Sequence, residues 1–218
     1  MTFPDWLWQP GPASTIAETG VPHPSSLEFF WDPASPYTYL AATRIETLAE
    51  EAGTAPNWRP FLLGGVFKAT GNRAPAEVAA KGRYLFEYLQ RWASLYGVPL
   101  RFPESFPANS IQALRAALVA EENDQGPHFA RAIMAAHWGE GRDINDAAVL
   151  AETAERVGLK ADTVAQRMQS QEIKDRLRAN TDEAVARGAF GAPTFFVGDV
   201  MFWGNDRLPL LKAYLQES

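Results

Sequence analysis

The feature that most constrains this chain is a strand that passes into a helix within a few residues. The stretch 26–31, with Leu27, Phe29, Phe30 and Trp31, is a short apolar run of strand type, and 37–52 has the amphipathic period of a helix. Between them stands Asp32-Pro33-Ala34-Ser35-Pro36-Tyr37. Ser35 suits the N-cap, Pro36 the first helical position, and Gly53 the residue just past the end. Such a turn gathers a hydroxyl and unpaired backbone N–H groups at the positive end of a helix dipole, where a thiolate or carboxylate is stabilised. On local sequence alone a plain helix cap is the more economical account of Ser35.

A further strand near 56–62 completes a strand–helix–strand unit, which predicts a parallel pair with a right-handed crossover. The stretch 63–72 reads as a glycine-punctuated loop. Beyond it the period turns helical. Tyr84, Leu85, Tyr88, Trp92, Leu95 and Tyr96 form one stripe, closed by Gly97 and Pro99. Later helices carry Leu114, Ala117 and Leu118 after a cap at Asn109 or Ser110; Phe129, Ile133, Ala136 and His137; and Val149, Leu150, Thr153 and Val157. Two more are expected near 162–168 and 170–187, with Gly188 as the stop. These stripes are read as core, and His137-Trp138 as a packed pair. The tail returns to a strand period: 194–197 and 200–203 flank a Gly198-Asp199 turn, and Gly204-Asn205-Asp206 opens a last helix.

Composition removes several chemistries. The 218 residues include no cysteine, so disulfides, thiolate metal sites and a cysteine nucleophile are excluded. The three histidines are not spaced for a metal site, and no Gly-x-Ser-x-Gly elbow is present. A net charge of −6 argues against a nucleic-acid partner, and no apolar run is long enough to span a membrane. The stretch 1–25 is a proline-rich N-terminal arm whose Trp6 and Trp8 either dock on the body or belong to a flexible leader. It lacks a secretory pattern, which makes the expected location cytoplasmic.

Strand–helix–strand, a helical block, then a hairpin and a helix is the order of an α/β, thioredoxin-like domain with a large inserted α-helical domain. The expected division is 26–72 and 189–218 for the thioredoxin-like domain and 73–188 for the insertion. Ala192-Pro193 stands where that fold places a cis proline, Pro193.

Specific segments then resemble the glutathione-dependent branch of the DsbA-like group, the 2-hydroxychromene-2-carboxylate isomerases and kappa-class glutathione transferases. They are Ser35-Pro36-Tyr37, the run from Phe61 to Lys68 with Gly71-Asn72, Arg91-Trp92-Ala93, the run from Gly188 to Val197 around Ala192-Pro193-Thr194, and Phe202-Trp203-Gly204-Asn205-Asp206-Arg207-Leu208. The resemblance implies glutathione as cofactor. Ser35 would be the catalytic contact to its sulfur, Asn72 would lie near the tripeptide, Ala192 would pair with the cysteinyl backbone, and Asn205 and Asp206 would hold the γ-glutamyl end. Tyr37, Lys68 and Trp203 are candidates for the substrate side. Redox relatives carry Cys-x-x-Cys at this helix start, whereas here it is Ser35-Pro36-Tyr37-Thr38, so a reactive thiol must come from the ligand. The implied activity is isomerisation of a conjugated aromatic oxo-acid, a small-molecule substrate, by a homodimer. A kappa-like transferase and a non-catalytic thioredoxin-like binding protein are the alternatives.

Overall fold

The computed structural model of the protein describes residues 26–217; the arm expected over 1–25, with Trp6 and Trp8, lies outside the described residues. The strands β1 (Leu27–Trp31), β2 (Pro56–Pro60), β3 (Thr194–Val197) and β4 (Val200–Trp203) form one mixed sheet in the order β2-β1-β3-β4. β1 is parallel to β2 and antiparallel to β3, and β3–β4 is the expected hairpin. The second strand ends at Pro60, two residues short of the expected bound.

β1 is covered on both faces, which explains why it is apolar at every position but Glu28, whose carboxylate pairs with Arg59 and Arg187. Its side chains alternate. Leu27, Phe29 and Trp31 enter the large core shared with the helices, while Phe30 enters a smaller core with Phe61, Val66 and Phe196. Phe29 stacks on Phe195 at 5.1 Å and meets Trp58 edge-on at 4.8 Å. A buried ring of this kind is worth roughly 3–5 kcal/mol against alanine.

Three local expectations are corrected. The single helix over 37–52 is two helices, α1 (Pro36–Ala42) and α2 (Ile45–Glu51). Thr43 turns its hydroxyl back to the Leu40 carbonyl at 2.7 Å, and Arg44 swings out over the Tyr96 ring at 4.6 Å, which breaks the run. The glycine-punctuated loop at 63–72 is a helix, α3 (Leu63–Thr70). Its two glycines argue against helix locally, and no capping side chain precedes it. Its leading N–H groups are instead satisfied from far along the chain: Leu62 donates to Thr181 Oγ1 at 3.0 Å and Leu63 to Asp32 Oδ2 at 2.8 Å. Gly65 packs closely there: a Cβ would meet Thr181 Cγ2 at 3.1 Å, a tight contact that the threonine side chain would have to yield to.

The third correction concerns α4 (Ala79–Tyr96). Its stripe is only partly core: Tyr84 is 57% exposed and Leu95 72%, Trp92 and Tyr96 are half-buried against the large core, and Leu89 and Ala93 are the buried pair. The remaining helices are α5 (Ile111–Glu121), α6 (Gly126–Met134), α7 (Ala147–Arg156), α8 (Ala161–Arg167) and α9 (Gln171–Ala186). α6 runs on into a π turn, Ala135–Gly139, in which His137 and Trp138 are both buried and in ring contact at 4.8 Å. The last segment is a 3-10 turn, Asn205–Arg207, leading into α10 (Leu208–Glu217) with Leu208, Leu211 and Leu215 buried. The architecture is therefore a thioredoxin-like sheet and its helices with a large helical insertion. No helix among the described residues is long and apolar enough to cross a membrane.

Candidate active site

The turn between β1 and α1 is built around a buried carboxylate. Asp32 is fully buried, accepting at Oδ1 from the Ala34 N–H (2.8 Å) and at Oδ2 from the Leu63 N–H (2.8 Å) and the Ser110 hydroxyl (2.9 Å). One side chain thus joins the turn to the starts of α3 and α5. Burial pushes the Asp32 carboxyl up from 3.8 to about 6, against the opposing pull of those three donors. Ser110 stands at the N-cap position of α5, as expected, but its hydroxyl serves Asp32; Asn109 Oδ1 takes the Ile111 N–H at 3.1 Å. Trp138 fixes the same turn from the insertion, its Nε1–H donating to the Pro33 carbonyl at 2.7 Å. Burial holds His137, beside it, below the ordinary histidine range, and its Nδ1 lies 2.8 Å from the Arg142 carbonyl.

Ser35 is the N-cap of α1, its Oγ accepting from the Thr38 N–H at 3.3 Å, as the cap reading requires. The same hydroxyl donates to the Ala192 carbonyl at 3.0 Å. The front of the chain and its tail therefore meet at one oxygen. Ala192–Pro193 is cis, as expected; Phe106–Pro107 is also cis, which was not. The loop around Ala192 is held by Thr194 Oγ1 on the Gly191 carbonyl (2.8 Å), the Gly204 N–H on the Pro193 carbonyl (3.0 Å) and Asn72 Nδ2 on the Phe190 carbonyl (2.8 Å).

Ser35 and Ala192 open onto a cavity of about 330 Å³. Tyr37 and Trp203 line it, as does Asn72, and Leu63 and Phe67 of α3 form one wall. Leu85, Phe86 and Leu89 of α4, with Phe102 and Phe106, form the other. The surface is mostly aromatic and aliphatic, with Arg73 the one cation among its lining residues. Burial pushes the Tyr37 phenol up, reinforced by nearby Tyr88, Asp206 and Tyr84, so it stays a hydrogen-bond donor at ordinary pH. A Cβ on Gly191 would lie 2.5 Å from Trp203 Nε1, so the close backbone approach there seats the indole on the cavity wall.

Not every expected residue converges. Lys68 is exposed and does not line the cavity. Asn205 is 1% exposed, buried rather than open to a ligand. Asp206 is not a lining residue, but it stands close enough to Tyr37 to act on its titration and pairs with Arg207 at 2.6 Å.

Residues 26–216 match the family model of the DSBA-like thioredoxin domain. The chain is 38% identical to a 2-hydroxychromene-2-carboxylate isomerase of Sphingobium xenophagum, over 87% of its own length and 97% of that protein's. The chain belongs to the DsbA-like family. Within that family it lies in the branch of the hydroxychromene-carboxylate isomerases and kappa-class glutathione transferases, and it is an enzyme of that branch. It is 29% identical to glutathione S-transferase kappa 1 of Rattus norvegicus, over 90% of this chain and 93% of that one. The solved structure of a 2-hydroxychromene-2-carboxylate isomerase superposes with a TM-score of 0.81 at 32% identity, covering 88% of this chain and 94% of that chain.

The DsbA-like pattern located the Ser35–Ala192 meeting but not its supports. Ser110 was legible as a cap and Trp138 as a packed residue, but nothing in the sequence tied them or the Asp32 carboxylate to the support of the turn. The one available hint was a carboxylate, Asp32, next to a strand whose other residues are mostly apolar, which implies burial and therefore partners.

Proposed function

We propose that the protein is a glutathione-dependent isomerase of a conjugated aromatic oxo-acid of the 2-hydroxychromene-2-carboxylate type. The observation that carries this reading is the 3.0 Å contact of Ser35 Oγ with the Ala192 carbonyl, facing an aromatic cavity. That pair fits a cysteinyl peptide. An extended peptide N–H would take over the Ala192 carbonyl, in the manner of an added strand. The Ser35 O–H, released from that carbonyl, would donate to the neighbouring sulfur, while the Thr38 N–H keeps Oγ accepting on its other side. A donor aimed at sulfur favours its charged form and lowers the thiol pKa from about 8.5.

Bound glutathione would supply a thiolate that adds reversibly to an electron-poor carbon, letting a double bond turn and re-form as the thiol leaves unconsumed. The chain's own residues would orient and desolvate. Asn72, tied to the Phe190 carbonyl, would border the tripeptide. Asp206 would pair with the α-ammonium, and Asn205, being buried, would act on the γ-glutamyl end through its backbone. Tyr37, held protonated, would donate to oxygen charge that develops on the substrate. Trp203 and the phenylalanines would clasp a flat ring, and Arg73, in place of the exposed Lys68, would meet the carboxylate.

The test is turnover of a hydroxychromene carboxylate with and without glutathione. Isomer interconversion that needs the thiol but leaves its concentration unchanged is expected. Ser35→Ala should lower kcat roughly 10²-fold, by loss of one preorganised donor. Stoichiometric consumption of the thiol would instead indicate a transferase. No turnover, with unchanged glutathione affinity in Ser35→Ala, would indicate a binding protein.

A further inference from the structure

A second cavity, about 560 Å³, lies on the opposite side of α3 from the Ser35 site. Helical spacing separates the two. Leu63 and Phe67 of α3 line the first, whereas Gly65 and Ala69, with Leu62 ahead of them, line the second. Small residues on this face of α3 leave room beside α5 and α9.

The charge on its walls runs against that of the molecule. Arg115 of α5 and Lys174 and Arg178 of α9 line it, against one carboxylate, Asp182, in a chain of net charge −6. Lys174, Arg178 and Asp182 are one turn apart along a single face of α9. Of the other charged groups around α9, Asp175 lies outside the cavity lining and accepts from Gln171 Nε2 at 2.9 Å, and several more are in ion pairs. Arg176 pairs with Glu121 and Glu122, Glu172 with Arg167, and Glu183 with Arg59 and Arg187. Arg115, Lys174 and Arg178 form no ion pair among the described residues. Arg115 Nε is also buried with no hydrogen-bond acceptor. A buried, unanswered guanidinium N–H is costly in a native protein unless something completes it.

We infer that this cavity is a binding site for a small multivalent oxyanion, held by Arg115, Lys174 and Arg178 and distinct from the glutathione site. Guanidinium groups offer paired donors that match carboxylate or phosphate oxygens, and the ammonium adds a point charge. The volume admits a phosphate-bearing or polycarboxylate metabolite. The inference stands independently of the isomerase reading, since it uses none of that site's residues.

The experiment is thermal unfolding and calorimetric titration of the full chain with inorganic phosphate and with citrate, sodium chloride holding ionic strength constant. Saturable stabilisation by either anion beyond the salt control is expected, because a ligand of the folded state raises its stability by mass action. Phosphate acting alone would mark phosphate chemistry, and citrate alone a polycarboxylate. The double variant Lys174→Ala/Arg178→Ala changes partly or fully exposed side chains, and should weaken the anion roughly tenfold or more. Arg115→Met should do the same, and Ser35→Ala should leave anion binding unchanged. Equal responses to anion and chloride would overturn the inference. So would a response that survives the double variant, or a change of oligomeric state in that variant with the anion response intact.

Discussion

Around Ser35 the cavity is fixed by directional bonds, whereas along α4 and the 102–106 segment it is fixed by apolar contact. At the first end, Asp32, Trp138, Ser110, Thr38 and Ala192 close a set of hydrogen bonds drawn from four separated parts of the chain. At the other, Phe86, Phe102, Phe106 and Trp138 meet through ring contacts of 5.0 to 6.0 Å, and Phe86 is 49% exposed. Hydrogen bonds fail when displaced by a few tenths of an ångström, while ring contacts tolerate sliding. Under the proposed function, this arrangement would hold a reacting sulfur at one point while offering the substrate a flat, dry slot.

The largest expected effect strikes the bonded end. Asp32 titrates at about 6 in the folded chain against 3.8 for the free group. The folded state therefore holds the proton more tightly between those values. Its contribution to stability is fully present below about 3.8 and is lost as pH rises through about 6. The span corresponds to roughly 3 kcal/mol. Asp32→Asn cannot titrate, so the difference in unfolding free energy between wild type and variant should change by about that amount between pH 4 and pH 7, measured in urea. Its amide also offers a donor where Leu63 and Ser110 both donate, so kcat should fall at least tenfold. A pH-independent difference would show that the carboxylate does not anchor the turn.

A smaller effect is expected at Gly191, where the two ends join. Gly191→Ala places a methyl 2.5 Å from Trp203 Nε1, and the half-exposed indole must leave the wall. The cost in stability should be about 1–3 kcal/mol. The substrate KM should rise more than that for glutathione, because Trp203 lies on the substrate side in this reading. Equal losses of both would mean that the methyl had displaced the Ala192 carbonyl as well.

The same contrast explains what was legible in the sequence. The parallel β1–β2 pair, the Ser35 cap and the hairpin rest on local period and turn chemistry, and the meeting of Ser35 with Ala192 on the family resemblance of their segments, all visible along the chain. α3 was not visible, because two glycines hide it and its end is satisfied by Asp32 and Thr181 from elsewhere. The stripe on α4 meets the core at Trp92 and Tyr96 but faces out at Tyr84 and Leu95, since helical period shows which residues share a face but not what that face meets. Asn205 matches the family pattern yet is buried, and Lys68 matches it yet lies outside the cavity lining, because a motif records residue order and not direction.

The smallest effect is the one that most sharpens the contrast. Phe86 is half-exposed and touches Phe102 at 5.0 Å, so Phe86→Ala removes little buried area and no hydrogen bond. Its cost in unfolding free energy should be under about 1 kcal/mol, since only part of a ring leaves an apolar contact. Glutathione affinity and kcat should hold, because the Ser35 network is untouched. The KM for an aromatic substrate should rise severalfold, and less for a smaller one, as steady-state kinetics on two substrates of different ring size would measure. A fall in kcat at unchanged KM would reverse the assignment: the apolar wall would then be positioning the reaction, and the separation between a bonded end for chemistry and a sliding end for recognition would not hold.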